Sequence, residues 1–143
     1  MVILALDVGE RRIGVAVSDP GESLALPLAT ISRVSVHEDL ERIVSLAREY
    51  EAGAIAVGDP RSLRGERGAM SAKVDEFCGL LQRVFGGPVE RVDERLTTAQ
   101  ANRSLIDADL SRAKRKRVVD KLAATLILET FLAQRRRARE PSR

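Results

Sequence analysis

Val2-Ile3-Leu4-Ala5-Leu6-Asp7-Val8-Gly9 runs directly into Glu10-Arg11-Arg12-Ile13-Gly14-Val15-Ala16-Val17-Ser18. These residues read as a strand carrying one carboxylate, a tight turn and a second strand. An apolar run this dense belongs to the centre of a sheet covered on both faces. Asp7 near its end is costly to bury, because an isolated carboxylate loses its hydration. A metal ion, a cationic partner or a substrate group would offset that cost. So would the turn hydrogen bonds that Asp before Gly often accepts. Gly9 and Gly14 lack a Cβ, so backbone or ligand can come close beside the carboxylate.

Downstream, Asp19-Pro20-Gly21-Glu22 is a turn, and Leu24 to Ser32 reads as a third strand that Pro27 places at a sheet edge. Three strands joined by short turns predict an antiparallel meander. The period then changes. Val36, Leu40, Ile43, Val44, Ala47 and Tyr50 recur at helical spacing, so a helix is expected from about 36 to 51. The lone His37 beside Glu38 and Asp39 falls at its start, in a structural position. Ala54 to Gly58 is a short buried strand, followed by a polar loop to Gly68. Met70, Val74, Phe77, Cys78, Leu81 and Phe85 define a second helix ending at Gly86-Gly87-Pro88, and Val89 to Val92 is a strand leading into Asp93-Glu94-Arg95. Thr97 or Thr98 is placed to cap a further helix reaching about Ile106. Asp107 to Lys116 is polar and basic and is expected to be mobile. A last helix is expected from about Arg117 to Gln134. The basic tail from Arg135 to Arg143 lacks apolar content and is expected to be disordered. The resulting order, β-β-β-α-β-α-β-α-α, predicts an α/β fold. Its five-stranded mixed sheet has three antiparallel strands followed by parallel βα units, with helices on both faces.

The 143 residues fit a single domain, expected over 1–134. At 3% aromatic residues, with no Trp, the composition argues against an aromatic base-stacking platform. The single Cys78 excludes an intramolecular disulfide and a cysteine-based zinc site, and its place on an apolar helix face makes it a core residue. No segment is long and apolar enough to span a membrane, and the N-terminus is not patterned as a signal peptide, so a cytoplasmic protein is expected. Net charge is only +3, yet Arg112, Lys114, Arg115, Lys116 and Arg117 form one basic cluster. Arg135, Arg136, Arg137, Arg139 and Arg143 form another. Such clusters suit phosphate backbones as well as solvated faces.

Three acids share an apolar context: Asp7 in the first strand, Glu94 just past the last strand and Asp120 in the final helix. Ligands of open α/β sheets gather at the carboxyl ends of parallel strands. Small Ala123 and Ala124 would let the helix bring Asp120 close. Oxygen ligands without His or Cys clusters suit Mg²⁺ or Mn²⁺. Three carboxylates around two such ions about 3.5–4 Å apart would support phosphodiester hydrolysis. Alternatively, Glu94 pairs with Arg95 or Arg91, and Asp120 with Lys121 or Arg117.

Ala5-Leu6-Asp7-Val8-Gly9, Ile13-Gly14-Val15-Ala16-Val17-Ser18-Asp19, Val57-Gly58, Val92-Asp93-Glu94-Arg95-Leu96-Thr97-Thr98 and Val119-Asp120-Lys121-Leu122-Ala123-Ala124 occur in this order. Together they resemble the YqgF family, also called RuvX, over about Val2 to Gln134. Its members have an RNase H-like fold and bear the names Holliday junction resolvase and pre-16S rRNA nuclease. The resemblance implies a metal-dependent endonuclease acting on RNA or branched DNA, with 5′ processing of pre-16S rRNA in ribosome biogenesis, junction resolution or both as its role. Pre-ribosomal particles are implied partners. Asp7, Glu94 and Asp120 correspond to the family's acidic metal-binding triad, catalytic with Mg²⁺ or Mn²⁺ in a two-metal site. Asp93 competes with Glu94, but strand residues alternate in direction and Glu94 is favoured. Arg95, Thr97 and Thr98 would contact phosphate or brace the carboxylates. Arg112, Lys114, Arg115, Lys116 and Arg117 would touch the nucleic-acid backbone.

The chain departs from the family pattern at Asp59-Pro60, where an apolar residue usually precedes the proline, and in a following loop that holds Arg61, Arg64 and Arg67. Asp59 either joins the site as a fourth carboxylate or pairs with one of those arginines, and the ion pair is favoured. Two other function classes compete. An actin-like or sugar-kinase ATPase shares the Asp-x-Gly turn but needs two such domains and a second glycine-rich loop. A non-catalytic nucleic-acid-binding ribosome-assembly factor on the same fold would not need the three acids. The basic cluster makes its own prediction. Replacing Arg115, Lys116 and Arg117 with Ala should weaken nucleic-acid binding across sequences and reduce the log–log salt slope by about 1 per lost phosphate contact. Binding titrations at several salt concentrations measure it.

Overall fold

The first apolar run does form a central strand. The computed structural model describes residues 1–59, 69–93 and 112–139, with side chains at 1–59, 70–93 and 122–139. Among them the order is β1 (Val2–Val8), β2 (Arg12–Ser18), β3 (Ala25–Ser32), α1 (Val36–Glu49), β4 (Ala52–Asp59), α2 (Ala69–Phe85), β5 (Val89–Asp93) and α3 (Arg112–Arg139). The five strands make one mixed sheet in the order β3-β2-β1-β4-β5. β1 pairs antiparallel with β2 and parallel with β4, while β2 pairs antiparallel with β3 and β4 parallel with β5. Pro27 thus lies on an edge strand, where its missing N–H breaks no ladder bond. The helix expected after Thr97 or Thr98 lies outside the described residues.

The period of two divides the core. Leu4, Leu6, Val8, Val15, Ile55 and Val57 face Leu40, Ile43 and Val44 of α1 and Val74, Phe77 and Leu81 of α2. Ile3, Ala5, Ala16, Ala54, Ala56 and Val92 face the other way, against Ala124, Ile127, Leu128, Phe131 and Leu132 of α3. Helices therefore cover both faces, as the dense apolar strands require. Ser35 caps α1 by accepting from the Glu38 N–H at 3.2 Å. Beyond α2, Gly86 takes the left-handed conformation at φ +78°, and its N–H donates to the Gln82 carbonyl at 3.2 Å. Cys78 is partly buried against the α1–α2 core, and burial raises its thiol pKa. His37 is exposed and lies 3.0 Å from Glu41. No helix among the described residues is long and apolar enough to cross a membrane.

α3 differs from expectation at both ends. It begins at Arg112 rather than near Arg117, because the Arg-Ala-Lys-Arg-Lys-Arg run consists of strong helix formers despite lacking an apolar stripe. It continues through Arg139 rather than ending at Gln134, so residues 135–139 are helical and not a disordered tail. A buried carboxylate does there what apolar packing does elsewhere. Glu22 accepts from Arg135 Nε at 2.6 Å, from Arg139 Nη2 at 2.9 Å and from the Met1 amino group at 3.0 Å. Glu22 holds a left-handed φ of +57°, unusual for a residue with a side chain, at the turn that Asp19 closes by accepting from the Ser23 and Leu24 N–H groups.

The cations around Glu22 make an acid-stability prediction. Hydrogen bonds from Arg135 first, then from Arg139 and the Met1 amine, outweigh burial and lower its pKa from 4.5 to about 2. A carboxylate depressed in the fold contributes stability that is complete above its unfolded pKa and is lost as pH falls through the folded one. Unfolding by urea should therefore show stability falling between pH 4.5 and about 2. Glu22→Gln should lower Tm at pH 7 and flatten that part of the profile.

Candidate functional site

Alternation along β1 places Asp7 on the face of Ile3 and Ala5, beneath α3, with its side chain half-buried. It pairs with Gly14 of β2, and the Leu6–Val57 register continued by one residue sets Gly58 of β4 on its other side. Neither neighbour has a side chain to cover the carboxylate. Gly9, by contrast, serves the turn. Its N–H donates to the Arg12 carbonyl at 2.8 Å, and a Cβ there would stand 2.9 Å from that same oxygen. Of the two glycines expected to permit close approach, Gly14 flanks the acid and Gly9 closes the hairpin.

β1, β4 and β5 run parallel, so Asp7, Asp59 and Asp93 all lie toward the carboxyl edge of the sheet. They do not share a face. The Asp59 carboxylate accepts from Ser71 Oγ of α2 at 2.7 Å, with both residues buried. Arg91 Nη2 of β5 approaches the same Asp59 oxygen at 3.1 Å, and its Nη1 bonds Asp75 of α2. Asp59 therefore points toward α1 and α2, opposite Asp7. Asp93 pairs with Asp59 in the ladder and shares that side. Alternation thus turns both Asp59 and Asp93 away from the face that carries Asp7. Asp59 forms an ion pair with Arg91. The loop arginines Arg61, Arg64 and Arg67 lie outside the described residues.

Glu94, Arg95, Thr97 and Thr98 lie outside the described residues, and the side chains of Asp120, Arg112, Lys114, Arg115, Lys116 and Arg117 are likewise not described. Their backbone positions in α3 are. The Arg135–Glu22–Met1 cluster marks the sheet edge where β1 begins, so α3 runs antiparallel to β1. Fifteen residues of helix before Arg135 span about 22 Å, which sets Asp120 near the other end of the sheet. Six residues of strand from Met1 to Asp7 span about 20 Å. Position 120 is thus level with Asp7 and one helical turn before Ala124, which is packed on the sheet. The 28-residue helix is about 42 Å long, against about 23 Å for the seven residues of β1. Its excess projects the basic run past the carboxyl edge. The first turn contains no acid, so the positive end of the helix dipole adds to that charge.

The local arrangement suits a hard divalent cation: an oxygen donor at the sheet edge, a second acid level with it on the covering helix, and glycines between. Among the described side chains no group of three His, Cys, Asp or Glu forms a metal cluster, and of the acids read from the sequence as a triad, Asp7, Glu94 and Asp120, only the side chain of Asp7 is described. Sequence reading missed the polar groups that hold the edge, namely buried Ser71, half-buried Asp75 and the Arg33–Asp39 pair. Arg33 Nε donates to Asp39 at 2.9 Å and its Nη1 to the Gly9 carbonyl at 2.8 Å. Only Asp39 carried a signal, as an acid in the first turn of an amphipathic helix.

Comparison with known proteins agrees with this geometry. A Thermoanaerobacter pseudethanolicus protein named "Putative pre-16S rRNA nuclease" is 50% identical over 133 residues, covering 92% of this chain and 96% of its own. A Clostridium novyi protein of the same name is 47% identical over 132 residues, covering 92% and 98%. Among solved structures, Thermus thermophilus RuvC in complex with Holliday junction substrate superposes with a TM-score of 0.58 at 16% identity, over 94% of this chain and 96% of that one. The fowlpox virus Holliday junction resolvase gives 0.51 at 14% identity, over 94% and 99%. These two likenesses establish the fold, an RNase H-like α/β sheet. Residues 1–134 match the sequence model of RuvX, described as Holliday junction resolvase, and the chain belongs to that family.

Proposed function

We propose that this protein is a divalent-metal-dependent endonuclease that hydrolyses phosphodiester bonds in structured nucleic acid, with precursor 16S rRNA favoured over a four-way DNA junction. The observation that carries the reading is the placement of Asp7 at the carboxyl edge of β1, level with position 120 of the helix covering the same face. The relatives that share 44–50% identity bear the name of an rRNA nuclease, which favours the RNA substrate. Asp7, Glu94 and Asp120 would hold Mg²⁺ or Mn²⁺, whose chemistry at such a site is to activate water and stabilise the departing oxygen. Asp7 supplies an acceptor-only carboxylate on a rigid central strand, and Gly14 and Gly58 leave room beside it. The projecting basic turns of α3, with Arg112, Lys114, Arg115, Lys116 and Arg117, attract and orient the phosphate backbone. Arg95, Thr97 and Thr98 would add phosphate contacts. With so few aromatic residues, recognition depends on the shape of the nucleic acid. Residues 1–134 form the nuclease domain in this reading, and a pre-ribosomal particle in the cytoplasm is its setting.

Labelled precursor 16S rRNA and labelled four-way DNA junctions, incubated with Mg²⁺ or Mn²⁺, test the proposal. The wild type should cleave the rRNA precursor, and chelation should stop it. Asp7→Asn should reduce cleavage by at least about 100-fold, since even outer partners of metal ligands are worth about 10–100-fold, while binding persists. Cleavage undiminished by Asp7→Asn, or binding of both substrates without cleavage of either, overturns it.

A further inference from the structure

Asp7 stands two residues before Gly9, and the geometry of that short segment is fixed from the opposite side of the sheet. The Gly9 N–H donates to the Arg12 carbonyl at 2.8 Å, closing the β1–β2 turn. The Gly9 carbonyl accepts from Arg33 Nη1 at 2.8 Å. The same guanidinium donates through Nε to Asp39 Oδ2 at 2.9 Å, and Asp39 is only 1% exposed. Its other oxygen accepts from the Val34 N–H at 3.1 Å. The guanidinium carbon lies 5.4 Å from the centre of the Phe77 ring of α2. The backbone joins in, since the Arg33 N–H donates to the Arg11 carbonyl at 2.9 Å. Thus one side chain, braced by α1 and α2, holds the turn from the face opposite Asp7.

We infer that Arg33 is a positioning residue for the metal-binding end of β1, acting on Asp7 through the Gly9 carbonyl. The inference rests on the metal-dependent reading of Asp7 and adds the device that orients it. A central strand fixes Asp7 along the sheet, but the strand ends at Val8, one residue later. Past that point the Gly9 N–H bond to Arg12 ties the turn only to its own hairpin, and without a brace to the helical layer the turn and the last carboxylate on the strand could tilt together. Arg33 supplies the tether with two differently directed donors of one rigid plane, which a lysine ammonium does not reproduce. Arg33 does not touch the metal, and its positive charge is matched by Asp39.

The test reads metal affinity and local order separately from cleavage. Mn²⁺ binding is followed by electron paramagnetic resonance in wild type, Arg33→Lys, Arg33→Met and Asp7→Asn, all at a temperature where each is folded by near-ultraviolet circular dichroism. Val44→Ala, which loosens the same α1 layer away from Gly9, is the control for general destabilisation. The expected result is a Kd for Mn²⁺ about 10-fold weaker in Arg33→Lys, as loss of a supporting shell gives. Val44→Ala should leave that Kd unchanged although its Tm falls. In the metal-free protein, hydrogen exchange should quicken at the Gly9 amide in Arg33→Lys and not in Val44→Ala. If Arg33→Met does not fold, Arg33→Lys decides. Unchanged Mn²⁺ affinity in a folded Arg33 variant, or equal weakening in Val44→Ala, overturns the positioning role while leaving the metal reading intact. Unchanged Mn²⁺ affinity in Asp7→Asn overturns the metal reading and the inference with it.

Discussion

β1 is hydrogen-bonded along both edges and covered on both faces, so its side chains approach the sheet boundary only toward its ends. That constraint organises the rest. It makes β2 and β4 obligatory neighbours, one antiparallel through a short turn and one parallel through a helical crossover. It requires an apolar layer on each side, which the single sheet obtains from α1 and α2 below and α3 above. It also confines Asp7 to the carboxyl edge, where its cost of burial is least and a ligand has access. The strand period then sorts every other acid at that edge. Asp59 on the neighbouring strand and Asp93 on the strand beyond it fall on the opposite face, and Asp59 enters a polar network with Arg91, Ser71 and Asp75.

The two layers are built differently, and the difference favours a site on the α3 side. Beneath the sheet the contacts are branched and aromatic, with Leu4, Leu6, Val15, Ile55 and Val57 meeting Ile43, Phe77 and Leu81. Above it the sheet presents Ala5, Ala16, Ala54 and Ala56. Small residues there let the α3 backbone lie close, and close approach is what brings a residue on the helix within reach of a carboxylate on the strand. The α1–α2 layer instead sets buried carboxylates against half-buried guanidinium groups. Arg33–Asp39 holds the end of β1, and Arg91–Asp59 joins the ends of β4 and β5. These pairs tie the sheet edge together from the face opposite Asp7.

Much of this was legible in the sequence, because most elements carry their own period. The dense run at Val2–Val8, the glycine-bounded turns, Pro27 on an edge strand and the helical spacing from Val36 to Tyr50 each point one way, and the sheet follows them. What the sequence hid depends on partners distant along the chain. Residues 135–139 look like a tail until Glu22, 113 positions before Arg135, receives their charge. Asp59 invited pairing with nearby arginines in the following loop, which lies outside the described residues, while among the described residues Arg91 on the adjacent strand pairs with it, where parallel pairing brings the two alongside. The start of α3 was hidden for another reason. A basic run without apolar residues has no period to read, although its intrinsic preference is helical. Alternation lets only one of Asp93 and Glu94 face the site, the choice of Glu94 came from the family resemblance, and the ladder places Asp93 on the side of Asp59.

α3 joins the two ends of the molecule mechanically. No proline or glycine interrupts Arg112–Arg139, so the helix has no built-in hinge, and a shift at one end is carried to the other. Its central contact with alanines holds it close to the sheet but offers shallow relief against sliding along the strands, since small side chains make low ridges. Axial position must then be set where the interactions are directional. Glu22 provides this at the end where β1 begins, with three cationic donors converging on one buried carboxylate. A displacement of one residue there would move position 120 by about 1.5 Å relative to Asp7, which is large compared with the tolerance of a metal site of about 0.2 Å in ligand distance. The contacts of Glu22 with Arg135, Arg139 and the Met1 amine thus fix the axial register of α3 against the start of β1, and through the uninterrupted helix the level of position 120 along the sheet.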